Sequence, residues 1–154
     1  RHLEKMAVRH GGGFNHRMGL YDMILIKDNH IASAGSIASA VQLAREYLQS
    51  RDFRIQFQNE CTKILIEVEV TNEAQLREAI DSRVDRLLLD NQTVDSLGKL
   101  VLLARSLNPA TQLEASGNVS LETVAAIAST GVNFISVGAI THSAPVVDFS
   151  LQVP

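Results

Sequence analysis

The chain has 154 residues, of which 45% are hydrophobic and 20% are charged, a composition typical of a single soluble globular domain. The net charge of −3 argues against a nucleic-acid partner, because binding a phosphate backbone takes an excess of Lys and Arg. No apolar run reaches the roughly 20 residues of a membrane helix, so no membrane association is predicted. Cys61 is the only cysteine, which rules out an intrachain disulfide and indicates a reduced, cytoplasmic protein in which this residue is structural.

Apolar runs rich in Ile, Val and Leu alternate along the chain with longer segments of helical period, as in parallel β-α units. After an N-terminal helical segment, five strands are predicted at residues 23–27, 64–70, 86–90, 112–115 and 134–137. Four helices are predicted between them, at residues 37–48, 73–80, 94–106 and 121–129. Capping signals support these helices, with Ser36 and Asn72 before the first two and Gly131 after the last.

Two architectures fit this order of elements: part of a TIM-like (β/α) barrel, and an open doubly wound sheet. Polar residues follow nearly every predicted strand. Barrels build their sites from the carboxyl ends of several strands, whereas open sheets concentrate such residues at one crevice, so we expect an α/β fold of the barrel type. Five strands are too few to close such a barrel, and an open one leaves an apolar strand edge unpaired. Either a strand is missing or the chain closes by pairing with a second copy.

The segment Gly11-Gly12-Gly13-Phe14-Asn15-His16-Arg17 is the densest local signal for ligand binding. Glycines let the backbone approach a ligand, and His16 and Arg17 carry donors suited to a carboxylate or phosphate. A flexible connection followed by a solvated basic pair is the alternative. Lys27 ends an apolar strand and precedes an Asp-Asn-His run, so it is either an anion ligand at the barrel mouth or a side chain that extends to solvent.

Glu67 and Glu69 lie two residues apart on the second predicted strand, so their side chains share one face. Asp90 ends the next strand. Carboxylates on a buried face are costly unless cations or hydrogen-bond donors meet them. Acids at neighbouring strand ends can hold Mg²⁺, directly or through water, or bind sugar hydroxyls. We expect one glutamate to pair with Lys27 or Arg17 and the other to have a functional role.

Small residues after the last two predicted strands indicate a phosphate site, because backbone N–H groups exposed near helix starts bind phosphate. In barrels a phosphate commonly lies between the last two strand–helix loops. The candidates are Ser116, Gly117 and Asn118 in one loop and Gly138, His142 and Ser143 in the other.

The motifs GGGFNHRMGL, LIKDNH, EVEV, LLDN, EASGN and VGAITHS occur in this order along nearly the whole chain. Together they resemble the motifs of the quinolinate phosphoribosyltransferases, the carboxylating nicotinate-nucleotide pyrophosphorylases. The resemblance implies that residues 1–154 are the C-terminal barrel domain of such an enzyme. The implied reaction transfers phosphoribose from phosphoribosyl pyrophosphate to the ring nitrogen of quinolinate. The transfer releases pyrophosphate, and loss of the 2-carboxylate as carbon dioxide then gives nicotinate mononucleotide, a step of NAD biosynthesis.

By the same resemblance, His16, Arg17 and Lys27 bind the quinolinate carboxylates. Glu69 and Asp90 match the acids that hold the ribose hydroxyls and the pyrophosphate with its Mg²⁺ cofactor. Nearby carboxylates would stabilise an oxocarbenium-like state electrostatically. The implied catalytic residues are Lys27, Glu69 and Asp90, and the implied phosphate ligands are Ser116, Gly117, Asn118, Gly138 and His142.

Two departures from the family pattern bear on activity. The family has an Arg-Lys-Thr motif on its first barrel strand and an N-terminal domain that contributes an arginine to a partner subunit's site; this sequence contains neither. We therefore expect a fragment that is weakly active or inactive alone, from a parent enzyme that forms a homodimer or higher homo-oligomer. The alternatives are a non-catalytic chain that binds phosphorylated ligands and a related phosphoribosyltransferase with another acceptor. The basic cluster favours a dicarboxylate acceptor.

Overall fold

The computed structural model of the chain describes residues 2–50, 53 and 63–153, so Cys61 lies outside the described residues. Five parallel strands follow one another across one sheet in chain order. The strands are β1 (Met23–Ile26), β2 (Leu65–Val70), β3 (Arg86–Asp90), β4 (Gln112–Ser116) and β5 (Phe134–Ile135). The helices whose bounds are described are α1 (His2–His10), α2 (Asp28–Ala34), α3 (Ile37–Gln49), α4 (Glu73–Asp81), α5 (Val94–Leu107), α6 (Val124–Ala128) and α7 (Ala139–His142).

The order of the strands distinguishes the two predicted architectures. A doubly wound sheet reverses its strand order at a switch point, whereas here every strand pairs with its sequence neighbours. In the described part of the chain, β1 and β5 each pair with one strand only, so the sheet does not close. The predicted incomplete (β/α) barrel is therefore confirmed.

The two faces of the sheet have different roles, because successive side chains of a strand point to opposite faces. Val68 and Val70 of β2 and Leu87 of β3 are fully buried and pack in one core cluster with Leu76 of α4 and Leu97 of α5. This face forms the hydrophobic core under the helices. The side chains between these core positions lie on the inner face. Of the helices that the structure describes, none combines the length and apolar character needed to cross a membrane.

The end of β1 differs from the prediction. The strand ends at Ile26, and Lys27 is the N-cap residue of α2, a helix that the pattern did not predict. The Lys27 backbone N–H donates to His30 Nδ1 at 3.0 Å, and its carbonyl accepts from the Ile31 N–H at 3.0 Å. Both the N–H and the carbonyl of Lys27 thus bond to residues in the first turn of α2, so the chain enters this helix directly after β1.

The last predicted strand and helix are shorter than expected. β5 contains only Phe134–Ile135 and pairs with β4 alone, although the Ser136 N–H still donates to the Ala115 carbonyl at 2.8 Å. α6 begins at Val124 rather than near residue 121. A turn precedes it, in which the Ser120 N–H donates to Thr123 Oγ1 at 2.9 Å.

Candidate active site

The inner face of the sheet brings charged and polar side chains together from neighbouring strands. Strand pairing places Glu67 opposite Arg86, and Arg86 opposite Gln112. Glu114 lies two positions beyond Gln112 on β4 and therefore shares its face. In barrels this face is usually filled by branched apolar side chains. Here it carries opposite charges within hydrogen-bonding reach, which indicates a site rather than packing alone.

Arg86 is the cationic centre of this inner face. Its Nη1 donates to Glu114 Oε2 at 2.8 Å, and its Nε and Nη2 donate to Gln112 Oε1 at 3.2 and 3.0 Å. The guanidinium also lies 4.1 Å from the centre of the Phe134 ring, a cation–π contact. The other Glu114 carboxylate oxygen accepts the Ser136 hydroxyl. The buried Glu114 carboxylate therefore has a cation and a hydroxyl donor, as a charge removed from water requires.

His16 reaches this face from the segment between α1 and β1. Its Nε2 lies 2.8 Å from Glu67 Oε2 and 3.5 Å from Glu114 Oε1. The Glu67 side chain is fully buried, and its Oε1 has no hydrogen-bond partner among the described residues. Burial raises the pKa of the Glu67 carboxyl; the His16 hydrogen bond opposes this rise and the Glu114 carboxylate adds to it. Two buried acids and one histidine are thus electrostatically coupled.

A turn held by Asp22 fixes the segment that carries His16 and Arg17. The Asp22 carboxylate accepts the Met18 N–H at 2.7 Å and the Gly19 N–H at 3.0 Å. Burial acts to raise the pKa of Asp22, but these hydrogen bonds and the Arg17 charge outweigh it and hold that pKa below its usual value. Arg17 Nη1 donates to the Met23 carbonyl at 3.4 Å, a weak bond at the start of β1. The turn therefore places His16 and Arg17 at the edge of the sheet.

Lys27 and Glu69 meet where β1 and β2 approach their carboxyl ends. Lys27 Nζ lies 3.1 Å from Glu69 Oε2, with the lysine half exposed and the glutamate largely buried. The hydrogen bond and charge of Glu69 raise the pKa of Lys27 above its usual value. The prediction that one glutamate of β2 pairs with Lys27 is confirmed for Glu69. Glu67 pairs with His16 instead.

Asp90, Ser116 and Gly117 form the next part of this end of the sheet. Asp90 and Ser116 are register partners, and the Ser116 hydroxyl and Asn91 Nδ2 both donate to the Asp90 carboxylate. Gly117 has φ +91°, and a Cβ built there would lie 2.1 Å from Asn91 Oδ1 and 2.9 Å from the Asn91 backbone N. Only glycine fits this position. Asn118, with φ +50°, places its Nδ2 3.4 Å from Asn91 Oδ1.

Gly138 and His142 belong to the other predicted phosphate loop. Gly138 is the N-cap of α7, and the four residues of that helix end at His142. His142 Nδ1 lies 2.6 Å from Ser143 Oγ, and both side chains are exposed. No described contact joins this loop to residues 116–118. Their shared role in phosphate binding stays a prediction.

Arg86, Gln112 and Ser136 belong to the site but were not singled out from the sequence. The signal that could have found Arg86 and Gln112 is the alternation along their strands, and in Arg86-Leu-Leu-Leu-Asp90 the first and last residues share a face with the third. Gln-Leu-Glu-Ala-Ser on β4 repeats this spacing. The alternation used for Glu67 and Glu69 therefore extends over three neighbouring strands.

Comparison with known proteins adds a family match over nearly the whole chain. The model of the quinolinate phosphoribosyl transferase C-terminal domain matches residues 1–152. A probable nicotinate-nucleotide pyrophosphorylase (carboxylating) of Synechocystis is 45% identical over 98% of this chain and 47% of its own length. One of Bacillus subtilis is 46% identical over 99% of this chain and 48% of its own length. The chain spans about half the length of the curated relatives it matches.

Solved structures also match nearly the whole chain. The crystal structure of NadC from Streptococcus pyogenes superimposes with a TM-score of 0.79 at 35% identity, over 97% of this chain and 47% of that one. A NadC deletion mutant superimposes with a TM-score of 0.81 at 35% identity, over 98% of this chain and 48% of that one.

Proposed function

The chain belongs to the quinolinate phosphoribosyltransferase family, matching its C-terminal domain, and from this premise we propose its activity. The protein is a pentosyltransferase that transfers phosphoribose from phosphoribosyl pyrophosphate to quinolinate. Decarboxylation accompanies the transfer, and the products are nicotinate mononucleotide, pyrophosphate and carbon dioxide. This is the carboxylating nicotinate-nucleotide pyrophosphorylase reaction of NAD biosynthesis, and relatives with that printed name support the proposal.

The observation that carries the proposal is the pair Lys27–Glu69, a cation and an acid 3.1 Å apart at the carboxyl end of the sheet. The reaction needs both charges side by side. Quinolinate is a dianion and needs cations, whereas the sugar carbon under attack becomes positive and is stabilised by carboxylates.

The acceptor side of the proposed site consists of His16, Arg17 and Lys27. Among the described residues, the Arg17 guanidinium makes one weak hydrogen bond, to a carbonyl, which leaves most of its donors for a carboxylate in the planar geometry that this group favours. Lys27 is half exposed and supplies a charge that burial does not suppress. Together these groups hold the two carboxylates and orient the ring nitrogen toward the sugar.

The donor side consists of Glu69, Asp90 and the loop residues 116–118, with Gly138 and His142 as further phosphate ligands. Glu69 and Asp90 offer carboxylate oxygens on neighbouring strands, and Mg²⁺ is usually bound through one or two carboxylates plus substrate phosphates. The donor set thus fits Mg²⁺. The Ser116 and Asn91 hydrogen bonds to Asp90 favour contact through water. When bound, Mg²⁺ stabilises the charge that develops on the leaving pyrophosphate.

The catalytic roles follow from these positions. Glu69 and Asp90 stabilise the positive charge at the anomeric carbon, and Lys27 keeps the acceptor carboxylates next to Glu69. The expected homodimer or higher homo-oligomer and the cytoplasmic location remain part of this proposal.

The proposal is tested by incubating the chain with quinolinate, phosphoribosyl pyrophosphate and Mg²⁺, both alone and fused to an upstream segment that carries the Arg-Lys-Thr strand and the N-terminal domain, and measuring nicotinate mononucleotide by chromatography. We expect more product from the fused form than from the chain alone, and no product from either would contradict the proposed activity. Binding is measured separately, by calorimetry with quinolinate and with nicotinate, which lacks the second carboxylate. We expect quinolinate to bind more tightly. Equal affinities, or none for quinolinate, would contradict the proposed acceptor.

The matched variants are Lys27→Met and Lys99→Met. Lys99 is an exposed lysine of α5 that pairs with Asp95. Lys27→Met should weaken quinolinate binding about tenfold, because a charge-assisted hydrogen bond is lost. Lys99→Met should leave it unchanged. An equal effect of both variants would show that net charge alone controls binding.

A further inference from the structure

His16 differs from the other two proposed acceptor ligands in being tied to buried acids. Arg17 contacts a backbone carbonyl and Lys27 contacts a partly exposed glutamate. His16 Nε2 instead lies 2.8 Å from Glu67 and 3.5 Å from Glu114, whose side chains are 0% and 2% exposed. The histidine side chain itself is 27% exposed. It therefore links the buried interior with the accessible edge of the site.

The spacing of His16, Glu67 and Glu114 also suits a metal ion, since one ligand atom from each lies within 4.8 Å of the others. The hydrogen bonds argue against that reading. Both oxygens of Glu114 already accept hydrogen bonds, one from Arg86 and one from Ser136. Arg86 thus supplies the positive charge that a metal would otherwise provide. The arrangement of the three residues is better explained by how the two acids orient the His16 ring.

The ring geometry of His16 makes this effect specific. The two nitrogens of an imidazole lie on different edges of the ring, and the bond made by one decides the protonation and orientation of the other. Nε2 is directed at a carboxylate, which accepts but cannot donate when ionised. The Nε2 edge is therefore held by Glu67, and the Nδ1 edge is left for a ligand; a ligand carboxylate can be bound there when Nδ1 carries a proton.

Glu67 is in turn held in place. Its Oε2 lies 2.8 Å from His16 Nε2, and its backbone lies within β2, between β1 and β3, opposite Leu25 and Arg86. A residue in the middle of a paired strand has little freedom to move, which makes it a rigid anchor for a side chain on a loop. His16 lies on such a loop, 51 residues away in sequence.

We propose that Glu67 is the positioning residue for His16: its carboxylate holds the Nε2 edge of the ring, so that the Nδ1 edge faces the acceptor carboxylate and donates to it through Nδ1–H when both ring nitrogens are protonated. The identity of that acceptor rests on the proposed function; the positioning of the ring does not. Glu67 touches no substrate in this proposal and acts only through His16. Arg86, Gln112, Glu114 and Ser136 keep the surrounding buried charge balanced.

The first test measures which nitrogen of the His16 ring is protonated, and it needs no ligand. Long-range ¹H–¹⁵N correlation spectra of the imidazole side chains, with His16 assigned through a His16→Asn variant, report which nitrogen is protonated. We expect a protonated Nε2 in the unmodified chain at neutral pH, and a mixture of tautomers in Glu67→Gln. A His16 ring with unprotonated Nε2 in the unmodified chain would overturn the proposal, even if Glu67→Gln fails to fold.

The second test measures quinolinate affinity by calorimetry for Glu67→Gln, His16→Asn and the double variant. If Glu67 acts through His16, Glu67→Gln weakens binding about tenfold and has no further effect once His16 is replaced. A purely structural role gives additive losses. A role as a repulsive charge near a dianion gives tighter binding in Glu67→Gln. Either result would overturn the proposal.

The matched control is Glu73→Gln, which makes the same chemical change at an exposed glutamate paired with Arg77 on α4. It should alter neither the His16 spectrum nor the affinity. If the unmodified chain binds no quinolinate but has a protonated Nε2, the proposed acceptor is wrong and the positioning of His16 stands.

Discussion

Arg86 and Glu114 form an ion pair between adjacent strands, 2.8 Å apart, with 13% and 2% of their side chains exposed. Removing one partner of a buried pair leaves an unpaired charge, which costs about 3–5 kcal/mol. We therefore expect Arg86→Met to lower the free energy of unfolding by an amount in that range. Urea denaturation followed by circular dichroism measures it.

The control for this prediction is Lys99→Met, which breaks the exposed pair of Lys99 with Asp95. Exposed pairs contribute little, because water screens both charges. The Arg86 variant should therefore unfold at much lower urea concentration than the Lys99 variant. Equal midpoints would mean that the inner face is more hydrated than the burial of Glu114 indicates.

Gly117 allows the loop after β4 to pass Asn91. A Cβ at this position would meet backbone and side-chain atoms of Asn91, and the residue has φ +91°. Gly117→Ala should destabilise the chain by about 1–3 kcal/mol and weaken phosphoribosyl pyrophosphate binding, since the loop must shift. Thermal unfolding and calorimetry measure the two effects.

At Gly98 the same substitution by alanine is expected to have the opposite effect on stability. Gly98 lies within α5, and a Cβ added there would meet no atom of the described residues within 4 Å. Gly98→Ala should therefore stabilise the chain by roughly 0.5–1 kcal/mol through helix propensity, without a change in ligand binding. If both alanine variants behaved alike, the left-handed conformation of Gly117 would not be what limits that loop.

The fold could be predicted because it depends on local periodicity. Short apolar runs between amphipathic segments place all five strands to within a few residues, and chain order supplies the parallel pairing. That one glutamate of β2 pairs with a nearby cation could also be predicted, because buried carboxylates need one. The sequence left open whether Glu67 or Glu69 pairs, and whether the cation is Lys27 or Arg17. The helix α2 could not be predicted, since its first turn reads as a polar loop until the Lys27 and His30 hydrogen bonds are known.

The inner network could not be predicted because it depends on register. That Glu67 lies opposite Arg86 follows from hydrogen bonding between strands, and no spacing along the chain encodes it. The contact between His16 and Glu67 joins a loop and a strand 51 residues apart. The sequence thus predicts which residues are chemically suited to a site but not which of them meet.

The lowered pKa of Asp22 predicts that the stability of the chain depends on pH. The folded-state pKa of this carboxyl lies below the ordinary value of 3.8, so its contribution to stability is present above that pH and is lost as the pH falls through the folded-state pKa. Asp22→Asn should therefore be less stable than the unmodified chain at neutral pH, and the gap should narrow under acid conditions. Urea denaturation over a pH series measures the gap.

Quinolinate affinity should fall in the same Asp22 variant, because the turn of residues 18–22 sets the position of His16 and Arg17. The control is Glu46→Gln on the exposed face of α3, where the acid accepts from Gln42. It removes the same charge away from the turn and should keep the affinity. A stability gap that did not change with pH would show that Asp22 acts by packing alone.

The proposed role of Asp90 in holding Mg²⁺ predicts how ligand binding responds to removal of the metal. If Asp90 helps to hold Mg²⁺ with the pyrophosphate, adding EDTA should weaken phosphoribosyl pyrophosphate binding in the unmodified chain and have little further effect in Asp90→Asn. Quinolinate binding should stay the same in both, because its proposed ligands are the basic residues. Asp95→Asn on α5 is the control and should keep the full response to EDTA. If Asp90→Asn kept that response as well, the metal would be held without Asp90, and Glu69 would remain as the carboxylate to test.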